Sequence, residues 1–282
     1  MLSRDDILQA PPVFTHPTHV RFADSVGGGR LFHPKMLELL HDAYEALLAD
    51  GGAPLDRVLR ERAWGAPLAH ADVELLGDPR FGAALDVGVT AAEVRKNRVT
   101  FGYCVRDRAS GEAVAIGRTV HAFIDLATFQ KIELPDAVRA IVARFPEHAG
   151  GDGPSARRDD LLAAPARFTH RVRVGFEDVD AAGFVFFART TAFFHRAYCE
   201  LRRQASQPIV EYGPKATSRV VSTEADFLKP LRAGDEADVL VVSSALEDGV
   251  ATIGFRIATP AGEPVAVGTF SHTATAAVAL PG

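Results

Sequence analysis

The chain has 282 residues, 47% of them hydrophobic and 24% charged, which suits a globular protein built as one large domain or two of ordinary size. A formal charge of -5, a pI near 6.1 and the lack of any Lys/Arg run argue against nucleic acid as a partner. No stretch approaches bilayer-spanning length and the start, MLSRDDILQAPP, has no apolar core of a leader, so a cytoplasmic protein without membrane association is expected.

In chain order, the first segment, DDILQAPPVFTHPTHVRFAD (Asp5 to Asp24), reads as a lead-in and a strand ending at an acid. The loop Ser25-Val-Gly-Gly-Gly29 lacks the Lys-Ser/Thr of a phosphate-binding loop and the setting of a dinucleotide fold, which argues against nucleotide cleavage. A helix and a variable connection follow, then strands closing with AVAIGRTVH (Ala113 to His121). Cys104 and Cys199 are too few, and too unlike in context, for a disulfide framework or zinc site, and both read as small buried hydrophobes. Pro146 to Pro165, rich in Gly, Pro and charge, reads as a linker.

Beyond the linker the pattern repeats. At an offset of 154 residues, DDLLAAPARFTHRVRVGFED (Asp159 to Asp178) falls on the first segment, and Gly29, Phe32, His41, Ala43, Tyr44 and Leu47 meet Gly183, Phe186, His195, Ala197, Tyr198 and Leu201. With small shifts Asp86-Val87 meets Asp238-Val239, Gly102 meets Gly254, and AVAIGRTVH meets PVAVGTFSH (Pro264 to His272). The expected domains are 1–145 and 166–282, joined by 146–165. Each has a leading strand, an irregular loop, one long helix, a variable connection and three strands; Glu247-Asp248-Gly249 and Ala261-Gly262 read as hairpin turns of an antiparallel meander. One helix on one antiparallel sheet is an α+β arrangement.

The stretch from Val174 to Arg203 concentrates the chemistry. Val174 and Phe176 alternate as in a strand, Asp178, Asp180 and Gly183 break the pattern, and Phe187, Thr191, Phe194, Tyr198 and Leu201 recur at helical spacing. A carboxylate beside the unpaired N–H groups of a helix start is a plausible reaction centre.

The segment Phe176-Glu-Asp-Val-Asp180-Ala-Ala-Gly183-Phe-Val-Phe-Phe187, with Phe227-Leu-Lys-Pro230-Leu-Arg-Ala-Gly234-Asp235 downstream, resembles the 4-hydroxybenzoyl-CoA thioesterase family of hotdog-fold proteins. The resemblance spans the second copy, and the first follows with a degenerate loop. It implies two tandem hotdog domains, each a long helix wrapped by an antiparallel sheet, packed as an intramolecular pseudo-dimer. It also implies an acyl-CoA thioesterase acting on an aromatic or bulky acyl group, carried by CoA or an acyl carrier protein, with no metal or redox cofactor. Pseudo-dimers could associate into homo-oligomers. Asp180 takes the family's catalytic position, as general base or nucleophile. The backbone N–H of Phe187 takes that of the oxyanion donor, and Gly183 gives the loop room. Phe184 and Phe186 are candidates to line the acyl group, and Lys229, Arg232 and Arg219 to meet the CoA phosphates. Alternatives are a hotdog enoyl-CoA hydratase or dehydratase, and a non-catalytic acyl-CoA or acyl-carrier-protein binding protein.

Differences between the copies refine this. Asp24 matches Asp178, but Val26 stands opposite Asp180, and His33 opposite Phe187. The expectation is one competent site at Asp180 and an inactive or altered one around Asp24 and His33. Asp178 reads as a loop cap, and His41, His195, His121 and His272 as packing or interface residues rather than bases.

Overall fold

Both repeats fold into the same succession of elements, seen in a computed structural model that describes residues 2–62, 64–146, 156–213 and 216–281. In the first repeat α1 (Arg4–Gln9) precedes β1 (Phe14–His19), two short strands β2 (Ser25–Val26) and β3 (Arg30–Leu31), α2 (His33–Asp50), α3 (Leu55–Arg60), β4 (Leu68–Leu75), β5 (Ala84–Arg95), β6 (Arg98–Asp107), β7 (Ala113–Ala122) and α4 (Asp136–Val142). In the second, α5 (Ala156–Ala163), β8 (Phe168–Arg173), α6 (Phe187–Gln204), β9 (Val220–Phe227), β10 (Glu236–Glu247), β11 (Val250–Ala258) and β12 (Pro264–Thr273) follow. The chain divides into two compact units, residues 1–25 with 35–153 and residues 26–34 with 154–282.

Each unit has the same antiparallel order, β1-β5-β6-β7-β4 in the first and β8-β10-β11-β12-β9 in the second. The registers agree in detail, with Phe14 opposite Val89 and Phe168 opposite Val241. Even the irregularity recurs, a register shift between Val89 and Ala91 and another between Val241 and Ser243. Four strands therefore follow each long helix, not three. The additional ones, β4 and β9, lie in the segments read as variable connections, where the buried residues Ala71, Val73 and Leu75 alternate with polar neighbours too weakly to stand out.

One glycine in each closing strand explains how the helix seats on the sheet. A Cβ on Gly117 would fall 2.5 Å from Leu40 Cδ1 on α2, and one on Gly268 would fall 2.7 Å from Phe194 Cε2 on α6. The missing side chain lets the helix lie directly on the strand, burying Leu40, Phe194 and the neighbouring aliphatic and aromatic residues. Gly102 pairs with Arg118, so strand alternation puts it on the face opposite Gly117, where Leu2 and Ile7 of the α1 region cover Ala91, Cys104 and Ile116.

The connection differs from its expected form. Residues 147–155 lie outside the described residues, but Ala156–Ala163 is helical, and Leu161 packs on Val242 and Val267. This helix is the counterpart of α1 and covers the second sheet as α1 covers the first. The expected domain limits shift on the other side as well, because residues 26–34 group with the second unit.

Candidate functional site

The loop between β8 and α6 is held by two carboxylates with different tasks. Asp178 is buried; its Oδ2 accepts the Gly175 N–H at 2.9 Å, and its carbonyl accepts the Phe186 N–H at 2.9 Å. It is the cap expected of it. Its repeat mate Asp24 does the same with the Arg21 N–H at 3.0 Å and adds the Arg21 guanidinium at 2.7 and 2.9 Å. Burial works against the Asp24 carboxylate, but the bonds from Arg21 outweigh it and hold the group below the usual carboxylate range.

Asp180 is exposed and organises its own turn. Its Oδ1 accepts the Ala182 N–H at 2.9 Å and the Phe184 N–H at 3.4 Å, while its amide donates to the Phe184 carbonyl at 2.8 Å. Its Oδ2 has no hydrogen-bond partner among the described residues. One oxygen is thus fixed and the other is open. Gly183 closes the turn at φ 81, a left-handed conformation matched by Gly29 at φ 78, and each donates its N–H back to the residue three before it. A Cβ on Gly183 would meet nothing within 4 Å, so the glycine serves the backbone conformation and leaves open space above it.

Phe187 is the first residue of α6, buried against Phe186 at 4.8 Å and Phe227 at 6.1 Å between ring centroids. Phe184 and Phe186 are half-buried on the same loop. The Val185 N–H donates to the Leu231 carbonyl at 2.8 Å, which ties this loop to the segment carrying Arg232. The Arg232 guanidinium lies 4.5 Å over the Phe184 ring. Lys229, in contrast, pairs with Glu263 at 3.0 Å on the surface.

Of the two residues expected at the altered site, Asp24 groups with the first unit and His33 with the second. His33 is buried, with Nδ1 2.7 Å from the Tyr212 hydroxyl, and its ring lies among Phe32, His195 and Phe270 at centroid distances of 5.3, 5.5 and 5.0 Å. Burial first, then the nearby His195, push the His33 pKa well below the imidazole range. His195 is lowered to about 4 by burial and by His272. Both rings are held neutral near pH 7.

Below them runs a polar network absent from the sequence-based expectations. Glu211 is fully buried and accepts hydrogen bonds from the Tyr198 hydroxyl and, at 3.2 Å, from the Val210 N–H. His272 Nδ1 lies 3.3 Å from Glu211 Oε1 and 3.1 Å from Ser218 Oγ. Cys199 sits beside His195 with its thiol pushed up to about 12, first by burial and then by Glu211, so it is no thiolate nucleophile. Among the described residues no group of three His, Cys, Asp or Glu could hold a metal ion, and no helix is long and apolar enough to cross a membrane.

Comparison with known proteins matches this architecture. The family model for the thioesterase-like superfamily aligns with residues 28–142, in the first repeat. The 1,4-dihydroxy-2-naphthoyl-CoA hydrolase of Nostoc punctiforme is 35% identical over 127 residues, 44% of this chain and 83% of that protein. The protein of the same name from Synechocystis sp. is 27% identical over 122 residues, 43% of this chain and 88% of that one. An acyl-ACP thioesterase structure from Bacteroides thetaiotaomicron shares the fold, with TM-score 0.70 and 17% identity over 92% of this chain and 96% of that one. Each relative covers less than half of this chain while the structural neighbour covers 92% of it, and the chain belongs to the thioesterase-like superfamily of hotdog-fold thioester hydrolases, built as two hotdog domains in tandem.

Proposed function

We propose that the chain hydrolyses an acyl-CoA thioester at Asp180, with an aromatic acyl group as the preferred substrate. The observation that carries this is the split role of the Asp180 carboxylate at the entrance to α6. Amides of its own turn fix Oδ1, and Oδ2 is left for chemistry. As general base, Oδ2 takes a proton from water while the water oxygen attacks the thioester carbon. The C–S bond then breaks, and the departing thiolate takes the proton. As nucleophile, Oδ2 attacks the same carbon, the thiolate leaves, and water cleaves the resulting anhydride. Both routes form an oxyanion, to which we assign the Phe187 amide at the helix start; one such donor is worth about 10²- to 10³-fold in rate.

The aromatic preference has two supports. Phe184, Phe186 and Phe187 cluster around the loop, and the relatives in Nostoc punctiforme and Synechocystis sp. are named for a naphthoyl-CoA. The test is Asp180→Asn against aromatic and straight-chain acyl-CoA thioesters. Because Asp180 is exposed, the variant is expected to fold as the parent does, with kcat/KM lower by roughly 10²- to 10⁴-fold. Unchanged hydrolysis would overturn the assignment.

A further inference from the structure

The outer face of each sheet is closed by a short helix, and both repeats close it at the same point. A Cβ on Gly102 would fall 2.8 Å from Ile7 Cγ1, and one on Gly254 would fall 2.5 Å from Leu161 Cδ2, so in each unit a bare strand position receives one aliphatic side chain of the covering helix. Gly102 and Gly254 are repeat mates, as are Ile7 and Leu161. Around these contacts Leu2 and Ile7 are buried on Ala91, Cys104 and Ile116 in the first unit, and Leu161 is buried on Val242 and Val267 in the second.

The polar bonds that fasten the two helices are not shared. For α1, Arg118 donates to the Leu2 carbonyl at 2.9 Å and Arg106 to the Leu8 carbonyl at 3.2 Å, while Arg4 pairs with Glu74 at 3.3 Å. For α5, one guanidinium nitrogen of Arg256 donates to the carbonyls of Leu161, Leu162 and Ala164 at 3.3, 2.5 and 3.0 Å, where a helix end leaves carbonyls without intrahelical partners. Arg157 then pairs with Glu224 at 3.1 Å. Different ties hold the same arrangement, so what the repeats have in common is the cover itself.

Two sheets that pack face to face lie about 10 Å apart, and a helix with its side chains is about 10–12 Å across. Each helix therefore fills the layer that a second sheet would occupy. Without it the unit would present a continuous apolar face, and such faces associate. We propose that α1 and α5 are guard helices that keep the outer sheet faces from pairing with a second copy of the chain, so that the protein acts as a single chain. This goes beyond the hydrolysis proposed at Asp180 and does not depend on it.

Sedimentation velocity on the full chain tests this. The parent should run as one species with the mass of a single chain from low micromolar concentrations upward. Ile7→Asp combined with Leu161→Asp puts a charge into both contacts and releases both helices, and this variant should self-associate as its concentration rises. Cys104, buried beneath Leu2 and Ile7, reports the release: its labelling by a thiol reagent, located by peptide mass, should be at least about tenfold faster than in the parent. A parent that sediments as a dimer or larger, or a variant whose Cys104 labels fast while it stays a single chain, would overturn the proposal. If the double variant loses its fold by circular dichroism, two milder changes decide. Gly102→Val forces α1 off its strand, and Arg256→Gln removes the carbonyl ties of α5. Each should associate at concentrations where the parent does not, and single-chain behaviour in both would refute the guard role.

Discussion

The Tyr198 hydroxyl donates to the buried carboxylate of Glu211, whereas the hydroxyl of its repeat mate Tyr44 has no hydrogen-bond partner among the described residues. Tyr44 is held instead by its ring, stacked on His121 at 3.9 Å. Deleting the two hydroxyls should therefore have unlike effects. Tyr198→Phe strips a donor from a buried carboxylate and should cost about 1–3 kcal/mol, while Tyr44→Phe removes an unsatisfied buried group and should be neutral or slightly stabilising. Denaturant unfolding of the two variants checks this, and equal losses would contradict it.

Gly183 and Gly29 offer a second paired comparison. Both hold the left-handed conformation with open space where a Cβ would go, so alanine at either position meets backbone strain and no clash. Each substitution should cost about 1–2 kcal/mol of stability. Only Gly183→Ala distorts the turn that aims Asp180, so only it should lower kcat. Parallel measurements of Tm and turnover separate the shared cost from the specific one.

Buried histidines set the acid limit of stability. Burial, followed by neighbouring imidazoles, lowers His121 to about 3 and His195 to about 4; it also lowers His33 and His272. These groups are neutral when folded and bind protons more readily when unfolded, near pH 6.5. Their contribution is complete above that value and is lost as pH falls from about 6.5 toward 4, by up to about 1.4 kcal/mol per pH unit for each group. Stability measured from pH 7 to pH 4 should fall with that slope, and His195→Phe should make the curve shallower. A flat curve over that range would be inconsistent with four neutral buried imidazoles.

The duplication and its offset were legible because strands, turns and helix starts recur at matching positions. The turn at Asp248-Gly249 is one such signal, with both residues at positive φ as a tight hairpin requires. The cap role of Asp178 was legible too, since a short-range acid and its loop are local features. Tyr212, Glu211 and Ser218 were not. They lie in an irregular segment with no periodicity, and their roles arise from contacts far apart in sequence, such as that of Tyr212 with His33. For the same reason the grouping of residues 26–34 with the second unit left no trace in the composition of that loop.

Arg232 distinguishes two uses of a cation beside the site. Its guanidinium lies over Phe184, its own amide is bound by Asp235 at 2.8 Å, and the neighbouring Leu231 carbonyl receives the Val185 N–H. This arrangement props the Asp180 turn from below. A cation serving mainly the CoA phosphates would matter for acyl-CoA and not for the same acyl group on a short pantetheine-like thiol. A prop matters for both. Arg232→Ala is therefore expected to lower kcat/KM by a few-fold on the two substrates alike, in line with the modest strength of an exposed cation–π contact. Lys229→Ala, which breaks only a surface pair with Glu263, should change either value less than twofold. A loss confined to the CoA substrate would assign Arg232 to the phosphates instead of to the loop.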